Sequence, residues 1–146
     1  MERLSPNSEY KILKTSKKEG YYYSHRKFEY SPPGWIELDG EWFPMGYRVT
    51  TTDLKSLGLR KNPTIYTYSF GEWVMEENPL IARRTDNGGI WSGASLSSAR
   101  KTQSYCLNRK ENPFETRIFY AALYNPIFAN GYGVKSQGLM IVEELK

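Results

Sequence analysis

The chain has 146 residues, 20 Lys and Arg against 16 Asp and Glu for a net charge of +4, 15% aromatic residues, one His and one Cys. A length of about 150 with this apolar content makes one domain with a real core and excludes wholesale disorder. A single cysteine, Cys106, excludes an internal disulfide, and with only His25 beside it the zinc-finger and His-rich metal sites are excluded as well. No apolar run approaches the ~18 residues of a membrane span, and residues 1–14 lack a signal-peptide core, so the chain reads as a soluble, cytoplasmic protein with no membrane contact.

Residues 1–20 are polar and lysine-rich, and read as a flexible segment outside a single domain over residues 21–146. Tyr21 to Tyr30 is predicted to be a strand, stopped by Ser31-Pro32-Pro33-Gly34. Trp35 to Leu38 and Glu41 to Phe43 flank Asp39-Gly40, the strongest hairpin signal in the chain. Tyr47 to Thr50 reads as a strand, and Thr52-Asp53 as a cap on a short helical turn ended by Gly58. Thr64 to Tyr68 alternates as a strand does, with Glu72 to Glu76 continuing or pairing with it, and Gly88 to Ser92 forms a short strand through a tight turn. Ser95 is the expected N-cap of the one principal helix, with Leu96, Ala99, Gln103, Cys106 and Leu107 along one face and Asn108 to Pro113 ending it. Thr116 to Leu123 and Leu139 to Leu145 are the last strands, with turns expected at Asn125-Pro126 and Asn130-Gly131. The expected class is α+β: mainly antiparallel sheet, one principal helix and a short helical turn.

The basic residues fall in small groups, nearly all with an acidic residue close by. A solvated mixed surface accounts for this, while the mild excess favours anionic partners such as phosphates and nucleotides. Aromatics interleaved with Arg26 and Lys27 could stack on bases, although an amphipathic strand looks the same, and nucleic acid is the lesser reading. There is no Walker loop, dinucleotide fingerprint, nucleophile elbow or metalloprotease helix. His25 reads as a surface residue and Cys106 as a small buried hydrophobe. Arg48 stands out in a strand among apolar neighbours and ahead of Thr50, Thr51 and Thr52, because a guanidinium with hydroxyls fixes a phosphate. Arg117 and Lys135 add cationic walls, and Phe119, Trp91 or Tyr132 could stack on a base. Each of these alone also fits a strand residue that packs or faces solvent.

Two families share patterns with these residues. Tyr47-Arg48-Val49-Thr50, the run from Gly88 through Trp91 and Ser92 to Ala99 with Tyr105, and Glu143 on the last strand resemble the signature strands of the ADP-ribosyltransferase fold. That resemblance implies an enzyme using NAD, with Arg48 holding the dinucleotide, Ser92 shaping the nicotinamide pocket and Glu143 steering transfer. Trp91 stands where Tyr or Ser is usual, and no Glu-x-Glu precedes the last strand. Tyr47 to Pro63, Gly88 to Trp91, Glu115 to Phe119 and Ala129 to Ser136 resemble the first-described phage sponge proteins that counter Thoeris defence. Gly131 and Gly133 depart from that pattern, and the first 45 residues fall outside it. This second resemblance implies a homo-oligomer that sequesters a cyclic ADP-ribose isomer, or a cyclic oligonucleotide, without cleaving it and with no cofactor. The residues expected to bind are Arg48, Thr50, Arg60, Arg117 and Lys135 on the phosphates, Trp91 and Phe119 in the pocket, and Asn130 on a base or ribose edge. A protein-interaction module without a small ligand is the third reading.

Overall fold

The computed structural model describes residues 9–14, 24–25, 28–29, 32–58, 65–77, 89–130 and 133–145. Strands β1 (Tyr10–Leu13), β2 (Ser24–His25), β3 (Phe28–Glu29), β4 (Trp35–Leu38), β5 (Glu41–Thr51), β6 (Val74–Met75) and β7 (Ile90–Gly93) precede helix α1 (Leu96–Leu107). Strands β8 (Thr116–Ala129) and β9 (Gly133–Glu144) follow it. Seven strands form one antiparallel sheet and β2 pairs with β3 in a separate ladder, so the fold is mostly antiparallel sheet with one helix among the described residues. β1 lies inside the segment set apart as flexible, yet it pairs with β4 along its whole length, Tyr10 opposite Leu38 and Leu13 opposite Trp35.

The β4–β5 hairpin turns at Asp39 (φ 48) and Gly40 (φ 85), the two left-handed residues that match the twist of the flanking strands. β5 then runs on past Phe43 without a break, so the two short strands expected there are one. β8 also runs through its expected turn: Asn125 takes φ 48 and the ladder to β9 shifts register between Pro126 and Phe128. A bulge lets the proline sit in the strand without a ladder N–H. β9 starts at Gly133, six residues before the expected strand.

The expected helical turn near residues 52–57 does not form. Thr51 N–H donates to the Lys55 carbonyl and Leu54 N–H to the Thr51 carbonyl, with Leu54 at φ 62, which no right-handed helix allows. The chain instead folds back and runs beside residues 66–68. Ser56 N–H donates to the Tyr66 carbonyl, Tyr68 N–H donates to the Leu54 carbonyl, and Lys55 bridges Thr67.

Helix α1 begins where Ser95 Oγ accepts from Ser98 N–H at 3.1 Å and ends at Asn108. Its inner face is narrower than the periodicity implies. Ala99 and Cys106 are buried, while Leu96 and Leu107 are 38% and 55% exposed. Ala99 packs on Val49 and Ile118, so the helix covers one face of β5 and β8.

The sheet pairings return on themselves. β5 pairs with β8, β8 with β9, β9 with β7, and β7 meets β5 again at Tyr47 opposite Gly93. Tyr68, Ile90, Phe119, Leu123, Val134, Leu139 and Ile141 fill the inner side of this ring. The other side of the sheet packs Ile36, Phe43, Met45, Ala122 and Met140.

Closure requires β5 and β7 to come close at Gly46. A Cβ on that residue would stand 2.6 Å from Ser92 Oγ and 3.2 Å from Leu123 Cδ1. Gly46→Ala is expected to cost about 1–3 kcal/mol through overpacking. That is roughly 2–4 °C of melting temperature per kcal/mol for a chain of this size. A Ser92→Gly change in the same chain should recover most of the loss. Circular dichroism melts of the single and double variants check both expectations.

Candidate functional site

Arg48 and Phe119 are direct partners across β5 and β8, as are Thr50 and Arg117. Directly opposed residues of an antiparallel pair share a face, so these four expected ligand residues lie together on the inner side of the sheet. Trp91 opposes Lys135, and Lys135 opposes Phe128, on β7, β9 and β8. Trp91 alternates with Ile90 and Ser92, which point into the ring, so this second group lies on the outer side. Arg60 and Tyr132 lie outside the described residues.

Arg48 is the centre of the inner group. One terminal nitrogen, Nη1, donates to the Trp91 carbonyl, and the other, Nη2, donates to Ser56 Oγ at 3.2 Å. Its Cζ sits 5.0 Å from the centroid of the Tyr68 ring. The backward fold of residues 51–56 produces this arrangement, bringing Ser56 and Tyr68 over β5, while Ser56 Oγ also accepts from Tyr66 N–H at 3.0 Å. All of these partners are neutral. No carboxylate among the described residues pairs with Arg48, and its Nε is buried without a hydrogen bond.

Arg117 differs. Its Nε and Nη2 donate to the two Glu144 carboxylate oxygens at 2.9 and 2.7 Å, and Nη1 donates to the Thr52 carbonyl. The guanidinium lies over the Phe119 ring at 5.2 Å, and the bidentate pair raises its pKa. Phe119 is fully buried, with Phe70 edge-on at 5.5 Å, so it packs the core and offers no open face for a base. Thr50 is fully buried too, and its hydroxyl is spent on the Thr51 carbonyl at 2.8 Å.

Lys135, expected as a cationic wall, is fully buried, with its stem against Gly89 and Nζ 5.8 Å from the Trp91 ring centroid. Trp91 is half-buried against Phe128, ring centroids 6.0 Å apart. Asn130 closes the β8–β9 connection, where its Oδ1 accepts from Gly133 N–H at 2.8 Å and its N–H donates to the Gly133 carbonyl. Cys106 is buried as expected, and burial pushes its thiol pKa up.

The three residues of the transferase pattern do not converge. Ser92 Oγ faces the interior near Gly46, on the side of Arg48. Glu143 is opposite Tyr120, which packs on the other side of the sheet with Tyr47. There Glu143 accepts from the Tyr10 hydroxyl at 2.8 Å. Its neighbour Glu144 takes the Arg48 side, and it is held by Arg117.

Tyr68, Ser56 and Glu76 are site residues that the sequence reading missed. Glu76 is a buried acid that accepts from the Tyr66 hydroxyl at 2.9 Å and from Gly89 N–H at 3.0 Å, bracing the strand segment that carries Tyr68. The alternation over Thr64 to Tyr68 marked Tyr68 as a strand residue, but nothing local showed which face it takes.

No family model, curated protein or solved structure matches this chain. Among the described residues no helix is long and apolar enough to cross a membrane.

Burial raises the pKa values of Cys106, Tyr47 and Tyr66 above ordinary values of 9.0, 10.0 and 10.0, with the hydrogen bond to Glu76 adding to the effect at Tyr66. The fold thus prefers their protonated forms. The stability they contribute is complete below those ordinary values and is lost as pH rises through them toward the folded ones. Melting temperature is expected to fall between pH about 9 and about 11, and Tyr66→Phe should make that fall shallower. Melts across this range check it.

Proposed function

We propose that the protein is a non-catalytic binder of a phosphate-bearing nucleotide signal, a cyclic ADP-ribose isomer in the first place, held through Arg48. One observation carries the reading. Among the described residues this partly buried guanidinium has only neutral partners, and its buried Nε has no hydrogen bond. A desolvated charge without a counter-charge is costly, and an anionic ligand would relieve that cost. Arg117 lies two residues further along the same face and could turn from Glu144 to a second phosphate.

Sequestration is preferred to ADP-ribosyl transfer because Glu143 and Arg48 lie on opposite sides of the sheet. The ligand set is correspondingly smaller than the sequence implied: Arg48 first, Arg117 second, with Trp91 and Lys135 across the sheet as a separate aromatic–cation group. In this proposal the protein works as a homo-oligomer that removes an immune signal from solution, which light scattering can test.

The deciding experiment is thermal denaturation with cyclic ADP-ribose isomers, ADP-ribose and NAD, followed by chromatography of the released ligand. A bound ligand at about 100 times its Kd adds about 2.7 kcal/mol. A cyclic ligand is expected to raise the melting temperature and return unchanged. Glu143→Ala should keep that shift, whereas Arg48→Lys should lose most of it while remaining folded by circular dichroism. Release of nicotinamide from NAD would establish the transferase instead. An absence of any shift would leave a protein-interaction module.

A further inference from the structure

Four buried side-chain polar atoms among the described residues have no hydrogen-bond partner: Arg48 Nε, Tyr68 OH, Ser92 Oγ and Trp91 Nε1. Trp91 lies on the outer side of the sheet. The other three belong to one neighbourhood inside the ring. The Tyr68 ring lies over the Arg48 guanidinium, and Arg48 donates to the carbonyl of Trp91, the residue preceding Ser92. Ser92 Oγ in turn sits against Gly46, two residues before Arg48 on the same strand face. Tyr68 is 1% and Ser92 7% exposed, and both stand among the apolar side chains that fill the ring, Ile90, Leu123 and Val134.

We infer that Arg48 Nε and the hydroxyls of Tyr68 and Ser92 form one interior subsite that receives a phosphate oxyanion, with Tyr68 and Ser92 as its specificity residues. The inference rests on the reading that Arg48 takes the ligand's anion, and it adds which groups complete that site from the core side.

Arg48 Nε can only donate, and both hydroxyls are able to, so one acceptor would satisfy all three. The guanidinium faces no carboxylate, so the acceptor is one that brings negative charge. A water molecule would satisfy the hydroxyls and leave the charge unanswered. The apolar wall strengthens any hydrogen bond made there, and makes each unmade one costly. Buried polar groups left without partners are rare in folded proteins, and two such hydroxyls beside one such guanidinium N–H mark a place prepared for a ligand. Neither hydroxyl has another role in the fold, since strand pairing and packing hold both residues through their backbones and neighbours.

The test uses thermal melts of the wild-type chain, Tyr68→Phe, Ser92→Ala and Arg48→Lys, alone and with inorganic phosphate, acetate, adenosine or ADP-ribose. Without ligand, the two hydroxyl deletions should be at least as stable as the wild type, because each removes an unpartnered buried group. With ligand, the shifts from phosphate and ADP-ribose should shrink in both, and ADP-ribose affinity should fall roughly tenfold in each. Adenosine should give no shift in any chain. Stabilisation by acetate and not by phosphate would make a carboxylate the occupant and overturn the phosphate assignment. If Tyr68→Phe and Ser92→Ala destabilise the free protein but keep the wild-type shifts, the hydroxyls serve the fold through internal water and the subsite falls. Loss of binding in Arg48→Lys alone would then leave the underlying reading standing. Unchanged binding in Arg48→Lys would overturn both, and no shift of the wild type with phosphate or ADP-ribose would overturn the subsite.

Discussion

Between β5 and β7 the backbone supplies a single paired position, Tyr47 opposite Gly93, and the Arg48 guanidinium completes the junction by donating to the Trp91 carbonyl. That junction turns a stack of hairpins into a ring with an inside. The same side chain reaches Ser56 and lies against Tyr68, so it also fixes the loop that folds back after β5. One residue joins two strands and a return loop that are far apart in sequence. Long side chains with several donors suit such a junction, because a planar guanidinium serves three directions at once, whereas an ammonium would supply only a point charge.

Closing the ring places demands on its smallest residues. Gly46 admits Ser92 against β5, Gly89 admits the Lys135 stem, and Gly138 admits the Met75 sulfur. Each lies where β7, β9 or β6 meets a neighbouring strand or loop, and none leaves room for a Cβ. Gly46 and Gly138 are thus needed for close approach alone, while Gly89 also takes φ 93. Between such points the sheet packs two separate sets of side chains. Arg48 faces the inner set, and the outer side carries helix α1 and the tyrosines near Glu143.

Local chemistry made much of the fold legible in the sequence. Asp39-Gly40 fixes a hairpin by its own backbone preferences, Ser95 caps its helix through its own hydroxyl, and β-branched and aromatic runs mark most strands. Where local and long-range signals compete, the reading fails. Thr52 to Leu57 has the residues of a helix start, but the backbone bonds of the return loop with residues 66–68 win. Asn125-Pro126 carries a turn signal, but the long β8–β9 ladder absorbs it as a bulge. The candidate site was legible only in part for the same reason. Strand pairing over a separation of about seventy residues brings Thr50 to Arg117 and Arg48 to Phe119, and no local pattern encodes it. Period-two alternation does say that Glu143 and Glu144 take opposite faces. Which of them joins Arg48 depends on the bulge between Tyr120 and Ala121.

The two inner arginines differ in how the fold answers their charge. Arg117 and Arg48 both lie on the inner face and both contact an aromatic ring, Phe119 and Tyr68. Arg117 meets a carboxylate in bidentate geometry near the end of the ladder, where both side chains reach water, so its charge is answered within the fold. Arg48 has a buried Nε, and its answers are a carbonyl, a hydroxyl and a ring, dipoles that hold the guanidinium in place without neutralising it. A cation held by neutral partners alone is the kind of group that the proposed anionic ligand would answer. Glu144 lies on that face too, and its charge is taken up by Arg117.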